Sequence, residues 1–343
     1  MKKLLNTLYV TSEDAFLALD GENIVVRFAD DTEKAIPLHL LSSVVSFSYK
    51  GATPALMGKC VQSGVAMAFY TPQGRFLCQV GNETAGNVYL RREQYRRADD
   101  AAQSLAIARN FIAGKLYNAK FVLLRCARDH ALQADAEKLR GAAASLHESL
   151  SACLSAQSDD QLRGVEGSAA SAYFQVFDEM VLREKQAFAF HGRSRRPPLD
   201  RTNALLSFAY SLLTSDCAAA LRGVGLDPYV GFMHVDRPGR KSLALDLVEE
   251  LRPVCADRFV LTLVNNRVLS PGDFVVQESG AVLLTDEARR TFLSEWQKRK
   301  RETLTHPYLD EKIEWGLVPH VQALLLARYV RGDLDQYPPF FWK

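Results

Sequence analysis

The sequence predicts an α+β fold, with a small N-terminal β-rich domain followed by a larger, mostly α-helical domain. Short β-prone runs separated by turn residues fill the first 85 residues. Long amphipathic stretches dominate the remainder, and the segment GNETAG at 81–86 has the composition of a linker. A chain of 343 residues with 48% hydrophobic residues is long enough for about two domains. We therefore divide it into residues 1–85 and 86–343.

The N-terminal domain is predicted to be a mixed sheet with one helix. Strands are predicted by the runs LYVT, AFLAL, NIVVRF and KAIPL, with hairpin turns at 20–21 and 30–31. Thr53 followed by Pro54 predicts the start of a helix through ALMGKCVQ, which Gly64 ends. The runs VAMAFYT and RFLCQV predict a second hairpin around the intervening Pro-Gln-Gly.

The second domain is predicted to be helical, with a short hairpin at 276–286. A Ser-x-x-Gln capping box beginning at Ser158 places a helix start just ahead of Glu166. Gly164 and Gly167 would cost helix stability, so they are expected to mark a bend or a close backbone approach.

Composition limits the class of protein. The net charge is only +2 with a pI near 8.2, so a basic surface for nucleic acid has to be local. The six cysteines include no C-x-x-C pair, which excludes zinc-ribbon and iron-sulfur spacing, and we expect reduced, buried thiols. The N-terminus lacks the apolar region of a signal peptide, and no membrane span is expected. These observations indicate a cytoplasmic protein without a membrane partner.

Glu166 is a carboxylate on an otherwise apolar helical stripe. In the segment GVEGSAASAYF it would share one helical face with Ala170, Tyr173 and Phe177. An unpaired buried carboxylate is costly, so a ligand or partner is expected at this position.

His234 and two acids form the second part of the predicted site. His234 precedes a basic loop, after which Ser242 could cap a helix that carries Asp246 and Glu249 on one face. Carboxylates with one imidazole suit Mg²⁺ or Mn²⁺ better than structural zinc. These residues indicate a metal-bound site for phosphodiester chemistry. The alternative is a satisfied core histidine and a solvated pair of helix acids.

Basic loops flank the predicted site and could position a DNA backbone, because guanidinium groups hold phosphates bidentately. Pro197 and Pro198 stiffen the first loop. The candidate DNA-binding residues are Arg193, Arg195, Arg196, Asn203, Arg237, Arg240 and Lys241. The alternative for the charges is simple solvation, and Asn203, Gln322 and the aromatic residues at 337–342 could equally be packing residues.

Three segments in register resemble the signature segments of the CRISPR-associated integrase family, the "Cas one" proteins of spacer acquisition. They are GVEGSAASAYF, RRPPLDRTNALLSFAYSLL and GLDPYVGFMHVDRPGRKSLALDLVEELRP. The resemblance covers nearly the whole chain, and the ending LARYVRGDLDQYPPF is similar to the type I-C branch.

The resemblance implies a metal-dependent DNA endonuclease and integrase, whose catalytic residues lie in the helical domain. Glu166, His234 and Glu249 would be both catalytic residues and metal ligands, and Arg252 would lie close to the metal as a further DNA-binding residue. Many members carry Asp where this chain has Glu249, so Asp246 could share the coordination as an accessory carboxylate. The implied reaction is attack by the 3′-hydroxyl of a short DNA fragment on a phosphodiester at a CRISPR repeat.

The implied assembly is a homodimer formed through the N-terminal domain, with two dimers bridged by a dimer of the small "Cas two" protein. The iron-sulfur nuclease of the same locus is a further expected partner. Two other functions stay open from the sequence alone. One is a metal-dependent nuclease for branched DNA in repair, and the other is a non-catalytic DNA-binding scaffold in which the three residues form a polar core network.

Overall fold

The computed structural model describes residues 7–41, 43–71, 76–81 and 87–343, which cluster into two units. The first unit contains the described residues up to 81 together with Leu284–Glu302. The second contains Asn87–Leu283 and Thr303–Lys343. The predicted α+β class is confirmed, because strands dominate the N-terminal part and helices the rest.

The N-terminal part contains seven strands and one helix among its described residues. In chain order they are β1 Thr7–Val10, β2 Phe16–Asp20, β3 Asn23–Arg27, β4 Glu33–Pro37, β5 Ser43–Ser46, α1 Pro54–Gln62, β6 Ala66–Tyr70 and β7 Phe76–Val80. The four predicted strand runs and the predicted helix are confirmed. Thr53 caps α1 by accepting a hydrogen bond from Leu56 N at 3.3 Å.

The strands of the first unit form two sheets. One has the order β1-β5-β6-β7, with parallel pairing up to β6 and antiparallel pairing of β6 with β7. The other is the antiparallel meander β2-β3-β4, whose turns place Gly21 at φ +56° and Asp31 at φ +62°. Asp and Gly tolerate this left-handed region, which explains the turn composition. The turn at 72–75 and the predicted linker at 82–86 lie outside the described residues.

The core of the first unit is built from buried side chains of its strands and of α1. Leu17, Ile24, Val44, Leu56 and Met67 have no exposed surface and belong to one hydrophobic cluster. Helix α1 contributes its buried face, with Leu56 and Cys60, to this cluster.

The rest of the described chain is mostly helical. In chain order its elements are α2 Val88–Asp99, α3 Ala101–Asp129, α4 Ala136–Ser155, α5 Asp159–Gln175, α6 Arg201–Val224, α7 Ser242–Arg252, α8 Arg258–Asn265, β8 Phe274–Val276, β9 Val282–Leu284, α9 Asp286–Arg301, β10 Thr303–Thr305, β11 Lys312–Glu314 and α10 Val318–Arg331. A π-helical turn, Pro253–Asp257, joins α7 to α8. The paired strands β8 and β9 confirm the predicted hairpin. Helix α9 belongs to the first unit.

Helix α3 is the long central helix of the second unit and packs against α4, α5 and α7. Helix α6 packs against α7 and α10. By length and composition α6 could cross a membrane, but 61% of its most apolar window is buried inside the protein, as in the core helix of a folded domain.

The C-terminal segment is held in the second unit by buried polar groups. Glu250 accepts hydrogen bonds from Tyr337 Oη at 2.7 Å, Gln322 Nε2 at 2.6 Å and Phe340 N at 2.8 Å. Asn118 Nδ2 donates to the Phe340 carbonyl at 2.8 Å. Gln322 and the aromatic tail therefore act in packing, which was one of the two sequence-based possibilities.

The cysteines only partly match the expectation. All six are free thiols, and Cys60, Cys153, Cys217 and Cys255 are buried as predicted. Cys126 is half-buried and Cys78 is exposed on β7, so burial does not protect every thiol.

Candidate metal centre

Helix α5 presents Glu166 and begins where the sequence predicts. Ser158 caps it by accepting a hydrogen bond from Gln161 N at 3.3 Å. The Gln161 side chain accepts from Gln157 N at 2.7 Å, one residue before the cap. The Glu166 side chain is 26% exposed, and its Oε1 pairs with the ammonium of Lys115 on α3.

Gly164 and Gly167 do not mark a bend or a close approach, so that expectation is wrong. Both lie within the uninterrupted helix α5, and nothing lies within 4 Å of an added Cβ at either position. The helix tolerates them because its packed face, which includes Leu162, Ala169 and Tyr173, does not involve either glycine.

Asp246 orients His234 from a fully buried position on α7. Its Oδ1 lies 2.7 Å from His234 Nδ1 and accepts from His234 N at 2.9 Å. Its Oδ2 accepts from Phe232 N at 2.7 Å and Met233 N at 3.1 Å. Both carboxylate oxygens are thus engaged by protein donors, so Asp246 is placed as a positioning residue, and Nε2 of His234 is left as the nitrogen available to a ligand.

Ser242 does not cap α7, in contrast to the expectation. It is the first residue of the helix, and its Oγ donates to the Val235 carbonyl at 3.2 Å. The residue before it, Lys241, is at the cap position without a side-chain capping bond. At the start of α7, Ala244 N donates to the Pro228 carbonyl at 3.2 Å. Asp246, one turn further on, accepts from the backbone N–H groups of residues 232–234 in the loop before the helix.

Glu249 lies between two cations. Its Oε2 is 2.6 Å from Lys115 Nζ and 3.4 Å from Arg252 Nε. Burial alone would raise the pKa of Glu249, but the charges of Arg252 and Lys115 hold that pKa far below its usual range. Arg252 is itself buried, with its guanidinium over the rings of Phe174 and Tyr210 at 5.3 and 5.7 Å. Glu249 is therefore fixed as an anion.

The carboxylates of Glu166 and Glu249, from two different helices, meet at one ammonium, that of Lys115. Among the described residues no group of three or more Asp, Glu, His or Cys side chains lies close enough together to hold a metal ion. His234 contacts Asp246, which lies on the same helix as Glu249 and three residues before it. Two carboxylates and one imidazole are suitable ligands for Mg²⁺ or Mn²⁺. The ammonium of Lys115 lies between the two carboxylates, at a position where positive charge is favoured.

The sequence reasoning missed Lys115, although a signal exists. In FIAGKLYNA this lysine shares the buried side of α3 with Phe111, Ile112, Leu116 and Ala119. A lysine among apolar helix positions needs a partner for the same reason as Glu166 does.

In the loop ahead of α6, some of the candidate DNA-binding residues are buried and others are exposed. Arg193 Nη1 donates to Asn203 Oδ1 at 2.6 Å, and its Nη2 donates to Ser207 Oγ at 3.2 Å. Asn203 is fully buried and donates to the Gly192 carbonyl at 2.8 Å. Arg193 and Asn203 therefore hold the loop together, and Arg195 and Arg196 are its exposed charges.

The loop after His234 presents the second set of charges. Arg237 is exposed, and Arg240 and Lys241 are half-buried. Burial, with a smaller contribution from Arg222, lowers the pKa of Lys241 to about 8. His234 directly precedes this loop. Asp246 accepts hydrogen bonds from the backbone N–H groups of residues 232–234 and so fixes where the loop begins.

Known proteins share this fold and these segments. Residues 8–298 match the family described as CRISPR associated protein Cas1. The chain is 48% identical over 343 residues to the CRISPR-associated endonuclease Cas1 1 of Chlorobaculum tepidum, with the whole of both proteins covered.

Two solved structures have the same fold at 22% identity. One is a casposase bound to an integration product, with a TM-score of 0.84 over 99% of this chain and 95% of that chain. The other is a Cas6-RT-Cas1–Cas2 complex, with a TM-score of 0.81 over 100% of this chain and 36% of that chain. The family match over most of the sequence and the full-length relative show that this chain belongs to the Cas1 family of CRISPR-associated proteins.

Proposed function

We propose that Glu166, His234 and Glu249 hold Mg²⁺ or Mn²⁺ and form the catalytic centre of this Cas1 endonuclease and integrase. The observation that carries the proposal is the convergence of two carboxylates on one cation, with an imidazole oriented by Asp246 of the helix that carries Glu249. A bound divalent cation would stabilise the charge that develops on the phosphoryl oxygens.

The proposed reaction is spacer integration in CRISPR adaptation. The 3′-hydroxyl oxygen of a short DNA fragment forms a new bond to a phosphorus of the CRISPR repeat. The bond from that phosphorus to its original 3′ oxygen breaks, and this oxygen leaves as a hydroxyl after taking a proton. Water as the attacking group gives endonuclease activity instead. Asp246 holds the His234 ring in place, and Arg252 keeps Glu249 ionised beside it.

DNA is proposed to cross the two basic loops. The exposed side chains of Arg195, Arg196 and Arg237 and the half-buried Arg240 and Lys241 are positioned to contact phosphates. Arg193 and Asn203 contribute by keeping the first loop rigid. A net charge of only +2 means that these local charges, together with DNA shape, supply most of the attraction.

The proposed assembly is a homodimer whose contacts come from the N-terminal sheet. Strand β7 is an edge of the four-stranded sheet and exposes Leu77, and an edge strand presents unpaired N–H and C=O groups.

The small Cas2 protein as bridging partner is supported by the Cas1–Cas2 complex of similar fold. The iron-sulfur nuclease of the same locus is proposed from the I-C-like sequence. Relatives from bacteria support a cytoplasmic location.

The test is strand transfer of a labelled short duplex into a supercoiled plasmid that carries a CRISPR repeat. Purified Cas2 and Mg²⁺ or Mn²⁺ are supplied, and wild type is compared with His234→Ala and with His147→Ala, an exposed histidine on α4. We expect joining that requires the metal, is lost in His234→Ala and persists in the control.

The alternative functions give other outcomes of the same experiment. Cleavage without joining, across several repeat sequences and metals, would indicate a branched-DNA nuclease. DNA binding without chemistry would indicate a scaffold, and joining by His234→Ala at the wild-type rate would overturn the assigned centre.

A further inference from the structure

Lys115 is a buried cation between two acids. Its side chain is 4% exposed, and its Nζ contacts Glu166 and lies 2.6 Å from Glu249 Oε2. The neighbouring residues on the same side of α3 include the buried Ile112 and Leu116. The two carboxylates compensate for the cost of burying this ammonium.

The charges at the pair balance without a metal. Glu166 and Glu249 bring two negative charges, and Lys115 and Arg252 bring two positive charges within 4 Å of them. Arg252 is held by its two aromatic neighbours, whereas Lys115 has a flexible four-carbon chain. A divalent cation on the same carboxylates would repel the ammonium strongly in a site of low dielectric constant.

We propose that Lys115 is a displaceable counter-ion, whose ammonium holds Glu166 and Glu249 together in the metal-free protein and leaves when a divalent cation binds them. This inference rests on the proposed metal site. It makes Lys115 a positioning residue that lowers metal affinity while preventing the two carboxylates from repelling each other. A permanent structural ion pair predicts the opposite, because its removal would disorder the ligands and weaken metal binding.

The experiment measures Mn²⁺ affinity by calorimetry or by electron paramagnetic resonance of free Mn²⁺, without DNA. It compares the wild-type protein with Lys115→Met and with Lys120→Met, a lysine on the outer side of the same helix. We expect Lys115→Met to bind Mn²⁺ about tenfold more tightly or better, because a competing charge is gone. We also expect its metal-free Tm to fall and its Mn²⁺-induced rise in Tm to exceed that of wild type. Lys120→Met should match wild type in all three.

An unchanged or weaker Mn²⁺ affinity in Lys115→Met overturns the inference. If Lys115→Met does not fold without metal, Lys115→Gln replaces it, and Mn²⁺ is expected to restore the fold of both. Failure of Mn²⁺ to restore either variant also counts against the inference. The proposed function fails separately, if Mn²⁺ binding of the wild-type protein is absent or unaffected by His234→Ala.

Discussion

Nδ1 of His234 lies 2.7 Å from Oδ1 of Asp246, and the same oxygen accepts the His234 backbone N–H. The other oxygen, Oδ2, accepts from Phe232 N at 2.7 Å and Met233 N at 3.1 Å. One buried side chain thereby sets the ring orientation and the path of the loop.

Asp246→Asn should impair the centre without removing any proposed ligand. The amide cannot accept from all four donors, so the 232–234 backbone loses bonds and the His234 ring loses its orientation. We expect Mn²⁺ affinity and strand transfer to fall about 10–100-fold, and the free energy of unfolding to fall by about 1–3 kcal/mol. Calorimetry, an integration assay and urea unfolding measure these, with the exposed Asp160→Asn as control. Wild-type affinity in Asp246→Asn would show that ring orientation does not matter.

Glu249→Asp tests how the length of this side chain affects the proposed centre. Shortening the side chain withdraws the carboxylate from Lys115, now 2.6 Å away. We expect Glu249→Asp to retain reduced strand transfer and Glu249→Gln to retain none, since only the first keeps the charge. Rates at saturating Mn²⁺ would separate the variants. Equal activity of Glu249→Asp and wild type would mean that the backbone adjusts freely.

Glu250 predicts a pH dependence of stability. Burial raises its pKa to about 7 from 4.5, against hydrogen bonds from Tyr337, Phe340 and Gln322 that lower it. A carboxyl with a raised folded-state pKa favours folding most below pH 4.5, and this contribution is lost as the pH rises to about 7. The wild-type free energy of unfolding should therefore fall over this window by up to roughly 1.4 kcal/mol per pH unit.

Glu250→Gln should remove that slope, because the amide does not titrate. Urea unfolding at pH 5, 6 and 7.5 provides the measurement, and Glu148→Gln, an exposed acid on α4, is the matched control. An identical slope in wild type and Glu250→Gln would assign the dependence to other groups.

The first basic loop predicts two different phenotypes for neighbouring arginines. Replacing exposed Arg195 and Arg196 by Ala should weaken DNA binding and reduce the slope of log K against log salt by about 1.8, as for two phosphate contacts. Stability should stay unchanged. Arg193→Ala should instead lower the free energy of unfolding by about 1–3 kcal/mol, because Asn203 and Ser207 lose their donor. Fluorescence anisotropy and urea unfolding distinguish the two, and reversed phenotypes would contradict the assignment.

Lys241 predicts a pH dependence of DNA affinity. Its pKa of about 8, lowered by burial, means that its charge is lost as the pH rises from 7 to 9. A phosphate contact favours the charged form of Lys241. DNA affinity should therefore fall over this range, by up to about tenfold per pH unit above the pKa of Lys241. Lys241→Arg should hold its affinity, because guanidinium stays charged. Anisotropy at constant ionic strength provides the comparison, and parallel pH profiles would exclude Lys241 from the DNA surface.

The fold was largely predictable from local patterns. Turn residues at Gly21 and Asp31, and the Thr53 cap, are encoded within a few positions of the elements that they limit. Glu166 and Glu249 could be singled out because charge at an apolar or paired helical position needs a physical reason.

What could not be predicted depends on contacts between distant segments. Lys115 meets Glu249 across 134 positions of the sequence, and the role of Asp246 depends on backbone N–H groups that only the folded loop aligns. The different roles of Arg193 and Arg195 could not be predicted either. Composition cannot distinguish a guanidinium that binds its own loop from one that faces solvent.

The bonds of Glu250 and Asn118 to residues 337–342 have a consequence for synthesis of the protein. Asn118 also accepts from Trp342 N at 2.9 Å. The buried polar groups of α3 and α7 thus find their partners in residues that are synthesised more than 200 positions after α3. Domains fold as units during translation once their residues have emerged. The packing of α3 and α7 is therefore completed only after residues 337–342 have emerged from the ribosome.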